Sequence, residues 1–135
     1  MTHARIEYCI DGYNLVEEEI DSFCQLEKRL QEVKNEAAAI INGIFTADIV
    51  VTGIGRISVA LDEKCILTYT SDNLEDMQTS LGDEFAQGEA VYYFGDYSNM
   101  SNKYVISYKE ALAVLEEWVR LGTISNKIKW TKIIY

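Results

Sequence analysis

Three β-rich runs, ADIVVTG (47–53), RISVALD (56–62) and KCILTYT (64–70), follow one another across joints as short as GIG and DEK. A parallel neighbour needs a crossover of about a dozen residues or more, so joints of this length return the chain only as an antiparallel neighbour. The runs therefore predict a meander at the centre of a sheet, and the rest of the chain must pack around it.

RIEYCI reads as a first strand, with DGYN supplying a turn. Ser22 and Gln25 have capping-box spacing, and Phe23, Leu26, Leu30, Val33, Ala37 and Ile41 recur along one helical face, with a stop at Gly43 or earlier, near Asn35. After the meander, SDNLEDMQTSLGDEFAQGE is polar and acidic, with one helical turn expected around Leu74 to Leu81. AVYYFGDY returns to strand composition, and FGDYSNMSN marks a turn before a second hairpin strand, KYVIS. Ser107 and Glu110 repeat the capping-box spacing. Ala111, Leu112, Leu115, Trp118 and Val119 then form an apolar stripe that ends at Gly122, a left-handed stop. KIKWTKIIY closes the chain as a strand buried on one face. The order β, α, β, β, β, β, β, α, β predicts an α+β fold: a mainly antiparallel β-sheet with two helices packed on one face and the other face partly open.

No repeat or linker divides the 135 residues, so residues 1–135 are expected to form a single domain. Apolar residues at 48% suffice for a packed core. The absence of any apolar run of roughly 18 residues, and of a signal-peptide core at the start, predicts a cytoplasmic protein that does not engage a membrane. Three cysteines, Cys9, Cys24 and Cys65, sit among apolar neighbours without CxxC spacing and read as buried free thiols. His3 is the sole histidine, which removes the usual zinc sites and the Ser-His-Asp triad; no metal, cofactor or catalytic residue is expected. Charge is uneven: residues 1–102 hold 19 acids and 6 bases, residues 103–135 hold 3 acids and 6 bases. Such a surface repels nucleic acid and attracts a basic protein, although it also simply confers solubility.

Other patterns are weaker. GIGRIS lacks the lysine and helix of a phosphate loop, DGYN and DNLED lack calcium-loop spacing, and the neighbouring carboxylates, including Glu17 to Glu19, read as solvated loops. Tyr92, Tyr93 and Tyr97 lie close together, and strand alternation sends Tyr92 and Tyr93 to opposite faces, one of them a candidate for an interface.

YKEALAVLEEWVRLGTISNKIKW resembles the C-terminal signature of the first immunity-protein family of bacterial polymorphic toxin systems (Imm1). Glu110 and Ala111 match its helical EA pair, Gly122 its helix stop and Trp130 its strand tryptophan; AVYYFGDY…KYVIS resembles the hairpin before that helix, and ISVALDEKCILTYTS an earlier one. Where the family often has proline three residues after the glycine, this chain has Ser125. The resemblance implies a stoichiometric inhibitor, not an enzyme. Its partner would be a cognate toxin domain encoded beside it, a basic nuclease or nucleic-acid deaminase, bound so that its active site or substrate groove is occluded. The candidate contacts are Asp62, Glu63, Asp72, Glu75, Asp76, Asp83, Glu84, Tyr93, Asp96 and Tyr97. Two alternatives stand beside it: a small ligand-binding or enzymatic domain using the open sheet face, which a concave pocket with converging polar groups would favour, and a structural subunit, which would form a homodimer.

Overall fold

The computed structural model describes residues 1–60 and 62–132. In chain order its elements are β1 (Ala4–Tyr8), β2 (Val16–Ile20), α1 (Phe23–Ala38), β3 (Ile44–Val51), β4 (Gly55–Ala60), β5 (Lys64–Cys65), β6 (Leu67–Ser71), β7 (Met77–Leu81), β8 (Glu89–Tyr93), β9 (Tyr97–Ser101), a 3-10 turn (Asn102–Tyr104), β10 (Ile106–Ser107), α2 (Tyr108–Leu121) and β11 (Lys129–Thr131). The sheet runs β11-β7-β6-β4-β3-β1-β2 and is antiparallel along that path. One junction is parallel: residues 44 and 45 of β3 pair with β8, on the same strand whose residues 48–51 pair with β1. β3 is thus forked, and the β8–β9 hairpin diverges from β1 there.

Alternation assigns the two faces. Ala4, Ile6 and Tyr8 of β1, Phe45, Ala47, Ile49 and Val51 of β3, Ile57 and Val59 of β4, and Leu67 share one core with Leu26, Leu30, Val33 and Ala37 of α1 and with Ala111, Val114, Leu115, Trp118 and Val119 of α2. Each valine, leucine, isoleucine or phenylalanine among them contributes roughly 1.5–3 kcal/mol when buried. Both helices therefore cover one face, and the fold is α+β as expected. On the other face, Ala60, Ile66, Tyr92, Met100 and Tyr104 make a second, smaller core beneath the β8–β9 hairpin.

Local signals explain the helix ends. Ser107 Oγ accepts from the Glu110 amide and Glu110 Oε1 from the Ser107 amide, both at 3.1 Å, a complete capping box. Gly122 closes α2 at φ 70°, a left-handed position, with its amide on the Trp118 carbonyl. At α1, Ser22 accepts from Gln25, but Gln25 returns its side chain to the Asp21 amide, one residue early. Ser125 holds its turn by accepting from the Lys127 amide at 3.1 Å, and its carbonyl accepts from the Trp130 indole at 2.7 Å.

Several expectations are corrected. α1 ends at Ala38 with an Ala39 cap, so Gly43 is not its stop and Asn35 lies within it. Glu17 to Glu19 form an edge strand, not a loop: Val16, Glu18 and Ile20 face the helices, and Glu18 is held there by Arg29 Nε and Nη2 at 2.8 and 2.9 Å. Leu74 to Leu81 is not helical; Leu74 takes a positive φ of 63° in a turn, and β7 follows. The hairpin partner of β8 is β9, not KYVIS, which divides between the 3-10 turn and β10. Among the thiols only Cys65 is buried, while Cys24 lies exposed on α1. Burial pushes the Cys65 thiol up to about 11, keeping it protonated. The end of the last expected strand, residues 133–135, lies outside the described residues.

Candidate functional site

The predicted contact residues occupy three places. Asp62 and Glu63 in the β4–β5 turn and Asp83 and Glu84 after β7 lie at one end of the strands. Asp72, Glu75 and Asp76, in the β6–β7 turn, lie at the opposite end, beside the β3–β4 turn, where the Asp72 amide donates to the Ile54 carbonyl. Tyr93, Asp96 and Tyr97 belong to the β8–β9 hairpin. The structure therefore groups Glu63 with Asp83 and Tyr93 with Tyr97, but separates the 72–76 turn from both groups.

Their surroundings differ. Asp62 lies 3.9 Å from Lys34 Nζ, and Asp76 lies 4.0 Å from Lys132 Nζ and accepts from Gln78. Glu63, Asp72, Glu75, Asp83, Glu84 and Asp96 are exposed and make no ion pair among the described residues. Asp83 and Asp96 accept backbone amides of their own turns. Tyr92 is the buried member of the tyrosine pair; Tyr93 is half-buried between Phe45 and Tyr97, and Tyr97 is exposed.

A cleft of about 380 Å³ opens on the helix-free face where β1 and the β8–β9 hairpin part from β3. Its floor carries Glu7, Asp48, Arg56 and Ser58, and its walls include Leu15 from the β1–β2 loop and Phe94 with Gly95 from the β8–β9 turn. Asp48 accepts from Arg56 Nη1 at 2.8 Å and from Ser58 Oγ at 2.6 Å. Glu7 Oε2 accepts from Arg5 Nε at 2.6 Å, while Oε1 stands 3.6 Å from Arg56 Nη1. None of these residues was predicted. The alternation of RIEY and VEEEI, which places Arg5 and Glu7 beside Glu19 and Glu17 on one face, was the available signal. The meeting of two distant loops over that face had none.

The β1–β2 loop is shaped by Asp11, whose carboxylate accepts from the Tyr13 and Asn14 amides and the Asn14 side chain at 2.7 to 2.9 Å. Those bonds, the Asn14 amide foremost, lower its carboxyl from 3.8 to about 2. Since the folded value lies below the unfolded one, the contribution is complete above about pH 4 and is lost as pH falls through about 2. The carboxyl carbon of Asp11, followed by NMR, is expected to titrate near 2; a midpoint near 3.8 would mean that the loop is not held this way.

A larger cleft, about 530 Å³, is lined by Glu63, Asp83 and Glu110 together with Lys64, Lys127 and Lys129, so its charges balance. Among the described residues, no group of three or more His, Cys, Asp or Glu is placed to hold a metal ion, and no helix is long and apolar enough to cross a membrane. The family model described as immunity protein Imm1 matches residues 16–132, from β2 to just past β11. No curated protein matches the chain.

Proposed function

The chain belongs to the family of immunity protein Imm1, and from that membership we propose that it neutralises a cognate basic toxin domain, a nuclease or nucleic-acid deaminase, by covering its active site or substrate groove. The family supports an immunity role, which requires binding and no turnover. One observation carries the finer reading: six exposed carboxylates, Glu63, Asp72, Glu75, Asp83, Glu84 and Asp96, have no ion-pair partner within the chain among the described residues. The field of the chain's excess, 22 acids against 12 bases, is not cancelled by direct pairing at these six. It accelerates encounter with a surface of lysines and arginines, the kind of surface that nucleic-acid enzymes carry, and the tyrosine hairpin adds apolar contact area.

Co-expression with the toxin domain encoded next to this chain is expected to give an isolable complex and protected growth. The association rate should fall at least about tenfold between 50 and 500 mM salt. Neither complex nor protection would end the proposal; a salt-indifferent rate in a stable complex would remove its electrostatic part. A second reading, a small-ligand domain, has the 530 Å³ cleft as its place. Its mixed lysine and glutamate lining suits a zwitterion, and binding there would appear as a saturable thermal shift.

A further inference from the structure

We propose that the centre of the partner interface is the cleft on the helix-free face, between the β1–β2 loop and the β8–β9 turn, and that its occupant is a single arginine or lysine side chain of the toxin domain. This rests on the immunity reading above and names the place and chemistry of contact.

Charge selects the occupant. On this face Glu7, Glu17, Glu19 and Asp48 stand against Arg5 and Arg56, leaving an excess of carboxylate. The larger cleft, with three acids and three lysines, has no such excess. Within the smaller cleft one acceptor is left open. The Glu7 side chain is only 9% exposed, its Oε2 is taken by Arg5, and its Oε1 accepts no hydrogen bond among the described residues, with Arg56 3.6 Å away. Glu7 lines the cleft, so this oxygen can be reached from it, and an incoming guanidinium or ammonium would add a charge-assisted bond to the longer contact with Arg56.

The walls suit the stem of the same side chain. Leu15 is 60% and Phe94 42% exposed, and Tyr13 of the same loop is 91% exposed. Large apolar groups on two converging loops bury the methylenes of a long cation while its head reaches the acidic floor. The Phe94 ring adds a face on which a cation can lie. An acidic floor beneath an apolar rim also reproduces the arrangement in which a central anchor is fully desolvated by surrounding contacts.

The test uses the full chain and the toxin domain encoded beside it, inactivated in its own active site, with affinity measured by calorimetry and each variant's melting temperature checked. Leu15→Ala with Phe94→Ala, both exposed positions, is expected to weaken binding at least about 100-fold with melting unchanged. Glu7→Gln should weaken it comparably. Glu27→Gln, exposed on α1 and away from the helix-free face, should change affinity less than about threefold. Combining Glu7→Gln with alanine at each toxin lysine and arginine in turn should reveal one residue whose effect is largely lost in the Glu7→Gln background.

If the wild-type chain does not bind the toxin, the immunity reading fails and this inference with it. If it binds and the Leu15, Phe94 and Glu7 variants stay within threefold, the cleft is overturned while the immunity reading stands. Loss of binding by the Leu15/Phe94 variant, with no toxin cation coupled to Glu7, overturns the cationic occupant. Should Glu7→Gln not fold, the Leu15/Phe94 variant decides the location, and Asp48→Asn replaces Glu7→Gln in the coupling measurement.

Discussion

Trp118→Ala is expected to lower the unfolding free energy by about 4 kcal/mol, a large share of the roughly 5–15 kcal/mol that holds a domain of this size. Trp118 is fully buried, its indole packs edge-on against Tyr69 at 5.6 Å between ring centres, and its Nε1 donates to the Ile49 carbonyl at 2.9 Å. Ile49 lies in β3 between its neighbours β1 and β4, register partner of Ile6 and of Ile57. Truncation therefore opens a cavity between α2 and the central strands and removes the indole's hydrogen bond to a buried strand carbonyl. Trp118→Phe separates the two contributions, since it keeps most of the ring and loses the N–H; about 1–2 kcal/mol is expected. Urea unfolding measures both. A Trp118→Ala loss below about 1 kcal/mol would mean that α2 is not fastened to the sheet through this residue.

Gly82→Ala is expected to cost about 3 kcal/mol, for a steric reason. A Cβ at this position would run into the Val105 carbonyl oxygen and stand 3.6 Å from the Lys103 carbonyl oxygen. Neither chain can yield easily. The Gly82 amide donates to Lys103 at 2.8 Å, and Ser80 Oγ donates to the Tyr104 carbonyl at 2.8 Å while accepting from the Leu67 amide at 3.0 Å. Displacing residues 103–105 strains the small core around Tyr104 and disturbs Ser107, the N-cap of α2. A lower melting temperature, with faster amide exchange across residues 103–107, is the expected result; unchanged melting would show that the two segments part without cost.

Features encoded by adjacent residues were readable from the sequence, and those created by distant pairing were not. The α2 cap, its apolar stripe and the Gly122 stop depend on residues within four positions of one another, and the structure has the cap and stop where the spacing placed them; in the stripe, Val114 takes the buried place expected of Leu112, which is only half-buried. The meander was readable for the same reason, since short joints leave one geometry. VEEEI concealed an edge strand because its middle inward position is a glutamate, neutralised by Arg29 eleven residues on. LEDMQTSL concealed β7 because its burial comes from β6 and β11, so Thr79 and Ser80 are buried although nothing local marks them as interior. The candidate site follows the same rule: its acidity was visible in composition, whereas the cleft arises from a fork in β3 that joins segments some forty residues apart.

The strict alternation of the central strands has an evolutionary consequence. Ile6, Ile49 and Ile57 face the helices and carry stability, while Arg5, Glu7, Asp48, Arg56 and Ser58 between them face outward and contribute little to the main core. Mutation can therefore rewrite one face without taxing the other. A lineage pressed to follow a changing adversary can exchange outward residues and loop tips in small steps, each tolerated by an unchanged scaffold. Glu110, Ala111, Gly122 and Trp130 lie on α2, at its end and on β11, outside the lining of the helix-free cleft.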